Sequence, residues 1–146
     1  MLSLTKDTMK LATLSGIDFS ESTKLMTAAL RSFHMEMEQG AHVTDVYSEL
    51  AAHAAADVSG IAYAMSKTSS IAASAGMDFE KLSAMLTVMI EATQEAPENL
   101  GTAMKSVVAR FTEVKKDVSD IEGDIEDMDI NKVDAALKSV GINLKD

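Results

Sequence analysis

Two stretches of the sequence decide the fold: TMKLATLSGIDF at residues 8–19 and TSSIAASAGMDF at residues 68–79. Each ends in a glycine, an apolar residue, an aspartate and a phenylalanine. Glycine tolerates the left-handed conformation that closes a helix, and an aspartate two positions later can cap the amide groups of the next helix. Each stretch therefore predicts a tight turn between two helices, with Gly16, Asp18 and Phe19 equivalent to Gly76, Asp78 and Phe79.

The equivalence continues into the helix after each turn. We call the separation of Gly16 and Gly76 along the chain the repeat offset. At this offset, Leu25, Met26 and Leu30 correspond to Met85, Leu86 and Ile90. The sequence thus predicts a repeated helix-turn-helix unit that buries the same face in each copy. We expect Phe19 and Phe79 to be buried equivalents, each packing after its turn against the preceding helix.

A third copy of the turn occurs as Gly141-Ile142-Asn143-Leu144. The segment before it has apolar residues at helical spacing, namely Val133, Ala136, Leu137 and Val140. This segment predicts the closing helix of another unit, begun by Asn131 or Asp129. Since little sequence follows this turn, we expect the chain to be part of a longer protein.

The composition favours an all-α protein. Hydrophobic residues make up 47% of the 146 residues, and the chain has one Pro, seven Gly and hardly any alternation of β-branched or aromatic residues. Cysteine is absent, which excludes disulfide and thiolate chemistry. We expect a helical bundle of about six or seven helices with its own core.

The formal charge of −10 disfavours negatively charged partners. Nucleic-acid backbones and anionic membranes attract clusters of Lys and Arg, whereas residues 117–146 carry nine acids against three bases. The longest uncharged run, about ten residues from Thr68 to Met77, is too short to span a membrane. We expect neither direct nucleic-acid binding nor membrane insertion of this segment.

Apolar periodicity and capping residues predict six helices before the last, acidic part of the chain. Their expected bounds are residues 4–15, 19–39, 44–56, 57 or 58–75, 79–93, and from 97 onward. Gly40 is expected to end the second helix, and Pro97 to occupy the first position of the sixth. Gly123 and the acidic tract of residues 117–129 are expected to end the sixth helix.

The sixth helix carries the most regular apolar pattern. Spacings of four and three alternate without a break, which is the pattern of a heptad seam. The candidate partner seam consists of Leu100, Met104, Val107, Phe111, Val114 and Val118. Because matching charges at the flanking positions are missing, packing inside the chain's own bundle is favoured over an intermolecular coiled coil.

The residues that could carry chemistry form no catalytic or metal-binding motif. Asp45, Glu49, His53 and Asp57 recur every four residues, but on a helix this row drifts around the surface, so a solvated polar face is favoured over a metal site. Aligning Gly123 with the glycine of a calcium loop places Val118 at the first ligand position, which excludes that motif. The sequence predicts no catalytic, cofactor or metal residues.

A series of motifs in one order resembles the tail tape measure proteins of long-tailed bacteriophages and prophages. These motifs are TAALR at residues 27–31, DVYSELAA at 45–52, IAYAMSKT at 61–68, SAGMDFE at 74–80 and MIEATQEAPENLGTA at 89–103. The likeness continues through VARF at 108–111 to NKVD at 131–134 and LKSVG at 137–141. It covers nearly the whole chain.

The resemblance implies a non-enzymatic structural protein without a cofactor, which sets tail length while tube subunits polymerise around it. It implies a place in the virion tail, and in the host cytoplasm during assembly. The implied partners are tail tube proteins, tail assembly chaperones and further copies of the chain. The alternative is a generic helical interaction or scaffold module without a phage role, and a cryptic hydrolase or metalloenzyme comes third.

In this interpretation residues 1–146 form one helical module of a longer tape measure protein, with repeat units at about 4–39 and 64–93 and an acidic segment at 117–129. A module taken out of a repeat array exposes faces that its neighbours would cover. We therefore expect self-association through the sixth helix or through the end near Val140 to Leu144.

Overall fold

The computed structural model describes the backbone of residues 2–125 and the side chains of residues 3–116. This part of the chain forms six α-helices and one short 3-10 helix, and it contains no strand. The helices are α1 (Leu2–Ser15), α2 (Phe19–Ser32), the 3-10 helix (Met37–Gln39), α3 (Gly40–His53), α4 (Val58–Ser74), α5 (Phe79–Thr93) and α6 (Pro97–Ile125). The predicted all-α bundle is confirmed. The turn predicted at Gly141 and Asn143 and the helix before it lie outside the described residues.

The chain divides into two compact parts, residues 1–109 and residues 110–146. The core described here lies in the first part, where each of the five helices from α1 to α5 packs against at least two of the others. Its largest fully buried apolar side chains are Leu11, Met26, Val43, Tyr47, Ile61, Met65, Leu82 and Leu86. Every helix from α1 to α5 contributes to this list, so a single core joins them.

Two helix boundaries differ from the prediction around Gly40. Helix α2 ends at Ser32 because His34 adopts a left-handed conformation, with φ of 53°. The His34 and Met35 amides then bond back to the carbonyl groups of Arg31 and Leu30, which is a Schellman ending. The predicted extension to residue 39 is therefore wrong, and Gly40 begins α3 instead of ending α2.

Two further boundaries differ by two or three residues, since α1 begins at Leu2 and not at residue 4, and α3 ends at His53 and not at about residue 56. The bounds of α4 and α5 follow the sequence closely. Helix α5 has the predicted bounds, and α4 begins at the predicted Val58 and ends one residue early. The sixth helix begins at Pro97 as predicted, but it continues through Gly123 to Ile125. Gly123 alone does not interrupt the helix, because one glycine costs a helix only about 1 kcal/mol. The predicted end within the acidic tract of residues 117–129 is not tested, since residues 126–129 lie outside the described ones.

The turn positions recur at the repeat offset across three helices in each half of residues 2–109. Gly16 and Gly76 have φ of 70° and 81°, and the chain turns left-handed again at the equivalent positions His34 and Gln94, with φ of 53° and 54°. The next helical segment begins at Met37 in one copy and at Pro97 in the other, which are also equivalent positions. We call residues 2–53 the first repeat and residues 58–109 the second repeat.

A glycine marks the close approach of the first and third helices in each repeat. In the first repeat, a Cβ added to Gly40 would lie 3.0 Å from Oδ2 of Asp7 on α1. In the second repeat, a Cβ on Gly101 would lie 2.9 Å from Cβ of Lys67 on α4 and closer still to a backbone oxygen. Asp7 and Lys67 are equivalent positions, whereas Gly101 stands one residue past the equivalent of Gly40, so the close approach recurs with its glycine shifted by one residue.

Candidate interaction surface

An aromatic cluster lies where the two repeats meet. Phe79, the first residue of α5, is 4% exposed. Its ring centroid lies 5.6 Å from that of Phe33 in an edge-to-face arrangement, and 5.6 Å from that of Tyr47 on α3. Tyr47 is fully buried, which raises the pKa of its hydroxyl above the ordinary value. Side chains of the first repeat therefore cover Phe79.

A polar pair borders this cluster. The Nε2 atom of His42 on α3 lies 2.6 Å from Oε1 of Glu80 on α5, beside an open pocket of 290 Å³. The hydrogen bond from His42 is the main cause that lowers the pKa of Glu80. Because both side chains are about half exposed, at 47% and 56%, the pair contributes little stability. It joins α3 of the first repeat to α5 of the second.

Phe19 does not share the burial of Phe79. It begins α2 as Phe79 begins α5, yet it is 47% exposed. The prediction that both residues are buried equivalents is therefore wrong. The physical reason is that Phe79 is covered by Phe33 and Tyr47 of the repeat before its own. No earlier repeat lies among the described residues to cover Phe19.

The turn residues have the backbone conformations that the sequence analysis requires, with different hydrogen bonds in the two copies. The Gly16 amide donates to the Ala12 carbonyl, whereas the Gly76 and Met77 amides form the two bonds of a Schellman ending. Asp18 and Asp78 are both extended residues at the start of a helix. Only the Asp18 carboxylate accepts a capping bond, from the amide of Glu21 at 3.0 Å.

The candidate partner seam on α6 splits into a buried part and an exposed part. Leu100 and Met104 are buried at 6% and 4%, whereas Val107, Phe111 and Val114 are exposed at 47%, 72% and 58%. The side chain of Val118 lies outside the described ones. The buried row continues instead through Val108, so the spacing of the buried residues is four throughout. A partner role for the exposed seam stays a prediction.

The four candidate metal ligands Asp45, Glu49, His53 and Asp57 do not come together in the structure. Asp45 pairs with Lys10 on α1, and Asp57 caps α4 by accepting from the amide of Gly60. Glu49 and His53 lie 3.5 Å apart on the exposed surface. Among residues with described side chains, no three His, Asp or Glu come close enough to share a metal ion. No helix within residues 2–125 has the length and apolar character of a membrane span.

Sequence reasoning missed Phe33, His42 and Tyr47 as the residues that join the repeats. The rarity of aromatic residues could have indicated the cluster. The chain has only four Phe and two Tyr, and three of these six, Phe33, Tyr47 and Phe79, form it. The contacts among Phe33, Tyr47 and Phe79 had no signal, since these three residues lie on separate elements.

Comparisons with known proteins point to one family. A family model described as phage-related minor tail protein matches residues 1–146. The tape measure protein of Pneumococcus phage Dp-1 is 32% identical over 108 residues, which cover 74% of this chain and 9% of that relative. The chain therefore spans less than a tenth of the relative's length. No solved structure matches the chain.

Proposed function

Because the chain belongs to the family of phage-related minor tail proteins, we propose that it is a repeat segment of a tape measure protein, which sets tail length while tail tube subunits polymerise around it. Its place is then the virion tail, and the host cytoplasm during assembly. Its partners are tail tube proteins, tail assembly chaperones and further copies of the chain.

The observation that carries this proposal is the three-helix repeat. A protein that measures length needs a unit that can be added in series, so that more sequence gives more length. The two repeats here keep one offset in their left-handed positions and in the start of their third helical segments. The relative that is a tape measure protein is also much longer than this chain.

The role we propose is structural and non-enzymatic. Many polar side chains of the chain already have structural partners: Asp18 and Asp57 cap helices, and Lys10 pairs with Asp45. The Thr8 hydroxyl donates a hydrogen bond to the Leu4 carbonyl of its own helix, and the Thr68 hydroxyl donates to the Gly101 carbonyl of α6. The caps and the Thr8 bond stabilise single helices, and the Lys10–Asp45 and Thr68–Gly101 contacts join two helices each, so these polar groups have a structural use.

Tail length in phage particles tests the proposal. In a phage whose tail gene encodes this segment, one full repeat, from Gly16 to the residue before Gly76, is duplicated in frame in one strain and deleted in another. At the rise of about 1.5 Å per helical residue, we expect tails longer or shorter by up to about 90 Å. Electron micrographs give the length distribution, and a strain with Asp45→Asn serves as the control.

Tails of unaltered length in both strains, with normal particle yield, would contradict length measurement. The chain would then be a helical scaffold module of the tail.

A further inference from the structure

We propose that this chain associates head to tail with a second copy of itself, by repeating between copies the contact that joins its two repeats. The leading face of the first repeat, formed by Met9, Ala12, Thr13 and Phe19, would pack on the trailing face of the second repeat, formed by Met85, Val88, Met89 and Val107. The inference rests on burial and on repeat equivalence, so it does not depend on the proposed role in tail length.

The contact between the first and the second repeat shows which residues form each face. The second repeat packs its first two helices, α4 and α5, on α2 and α3 of the first repeat. Phe79 lies between Phe33 and Tyr47, and the Ser69 hydroxyl donates to the Ser32 hydroxyl at 2.9 Å. Phe79 and Ser69 therefore mark the leading face of the second repeat, and Tyr47 marks the trailing face of the first.

The equivalent leading face of the first repeat is exposed. The repeat offset relates Phe79 and Ser69 to Phe19 and Met9, which are 47% and 59% exposed. Together with Ala12 and Thr13 they line a shallow surface depression. Both positions carry large apolar side chains that are exposed in the first repeat. The equivalent positions of the second repeat are covered by the first repeat.

The equivalent trailing face of the second repeat is exposed as well. The same offset relates Tyr47, which is 1% exposed, to Val107, which is 47% exposed. On α2, Leu25 is 5% exposed, whereas its equivalent Met85 on α5 is 40% exposed. Val88, at 62%, is the most exposed apolar side chain of this face, and an open depression lies around it, lined by Ala84, Met85, Val88 and Met89.

One chain thus presents both halves of a contact that it already makes internally. We take another copy as the occupant of each face, because the apolar side chains exposed at the two ends stand at positions whose equivalents meet in the internal contact. In such a dimer, Phe19 of one copy would lie beside Val107 of the next, as Phe79 lies beside Tyr47. A head-to-tail contact leaves a free face at each end, so larger assemblies form as concentration rises.

The test is sedimentation velocity of the 146-residue chain over a range of concentrations. We expect the mean mass to rise beyond that of a dimer. Phe19→Glu and Val88→Glu each place a charge in the contact, and each should weaken association at least about tenfold. Met37→Glu is the matched control, because this apolar residue is 56% exposed and belongs to neither face nor to the seam on α6. It should leave association unchanged.

A mixture of the two variants establishes the polarity. Phe19→Glu keeps an intact trailing face and Val88→Glu keeps an intact leading face, so the mixture should form one-to-one dimers and nothing larger. Circular dichroism of each variant confirms its helical fold.

Three outcomes would overturn the proposal. The first is a monomer at every concentration, and the second is loss of association with Met37→Glu alone. The third is a mixture of variants that stays monomeric.

Discussion

Gly101 is required by its contact with another helix, which the sequence around it does not indicate. It lies within α6, where glycine is unfavourable for a helix. The structure explains its presence, because α4 approaches so closely that a Cβ would meet the backbone of Ala64 and the side chain of Lys67. The buried hydroxyl of Thr68 also contacts the Gly101 carbonyl oxygen at 2.6 Å.

Gly101→Ala should therefore destabilise the protein. Helix propensity alone would favour alanine by about 1 kcal/mol, but overpacking against a backbone costs about 1 to 3 kcal/mol and must move α6 or α4. We expect the free energy of unfolding to fall by about 1 kcal/mol or more in urea titration. Ser106→Ala, at an exposed position of the same helix, is the control and should leave stability equal or slightly higher. An alanine at 101 that stabilises the protein would mean that α4 and α6 do not touch there.

At the scale of elements, the helices that end at glycine or begin at a capping residue could be predicted from sequence. Asp57, Gly76 and Asp78 define α4 and α5 by local chemistry, and these bounds are confirmed within one residue. The end of α2 could not be predicted, because Phe33 and Met37 continue the apolar period past it. His34 turns the chain left-handed instead, and nothing in its immediate sequence indicates this.

The left-handed conformation of His34 at the end of α2 leads to a testable prediction. A left-handed conformation costs a residue with a Cβ about 1 to 2 kcal/mol. Glycine adopts it freely, but it lowers stability by about 0.5 to 1 kcal/mol because it loses more conformational freedom on folding. We expect His34→Gly to raise the free energy of unfolding by up to about 1 kcal/mol, and His34→Val to lower it. Thermal unfolding of both variants checks the pair. If both substitutions destabilise equally, the His34 side chain makes a contact that matters more than its backbone conformation.

At the scale of the whole molecule, the fold class, the turn repeat and the family resemblance all followed from sequence. Each depends on local spacing or on the order of motifs. Burial at the repeat ends did not follow, since Phe19 and Phe79 have the same local context and differ only in which helices cover them. The same limit applies to α6, where Val107 is exposed although the heptad pattern groups it with the buried Leu100 and Met104.

The central claim is that each repeat buries the leading face of the next, and a matched pair of substitutions tests it most directly. The measurement is the free energy of unfolding of Phe79→Ala and of Phe19→Ala in urea, at a concentration low enough to keep the chain monomeric. We predict a loss of about 3 to 5 kcal/mol for Phe79→Ala, because a large buried ring is removed, and less than about 1 kcal/mol for Phe19→Ala. Equal losses for the two substitutions would contradict the claim.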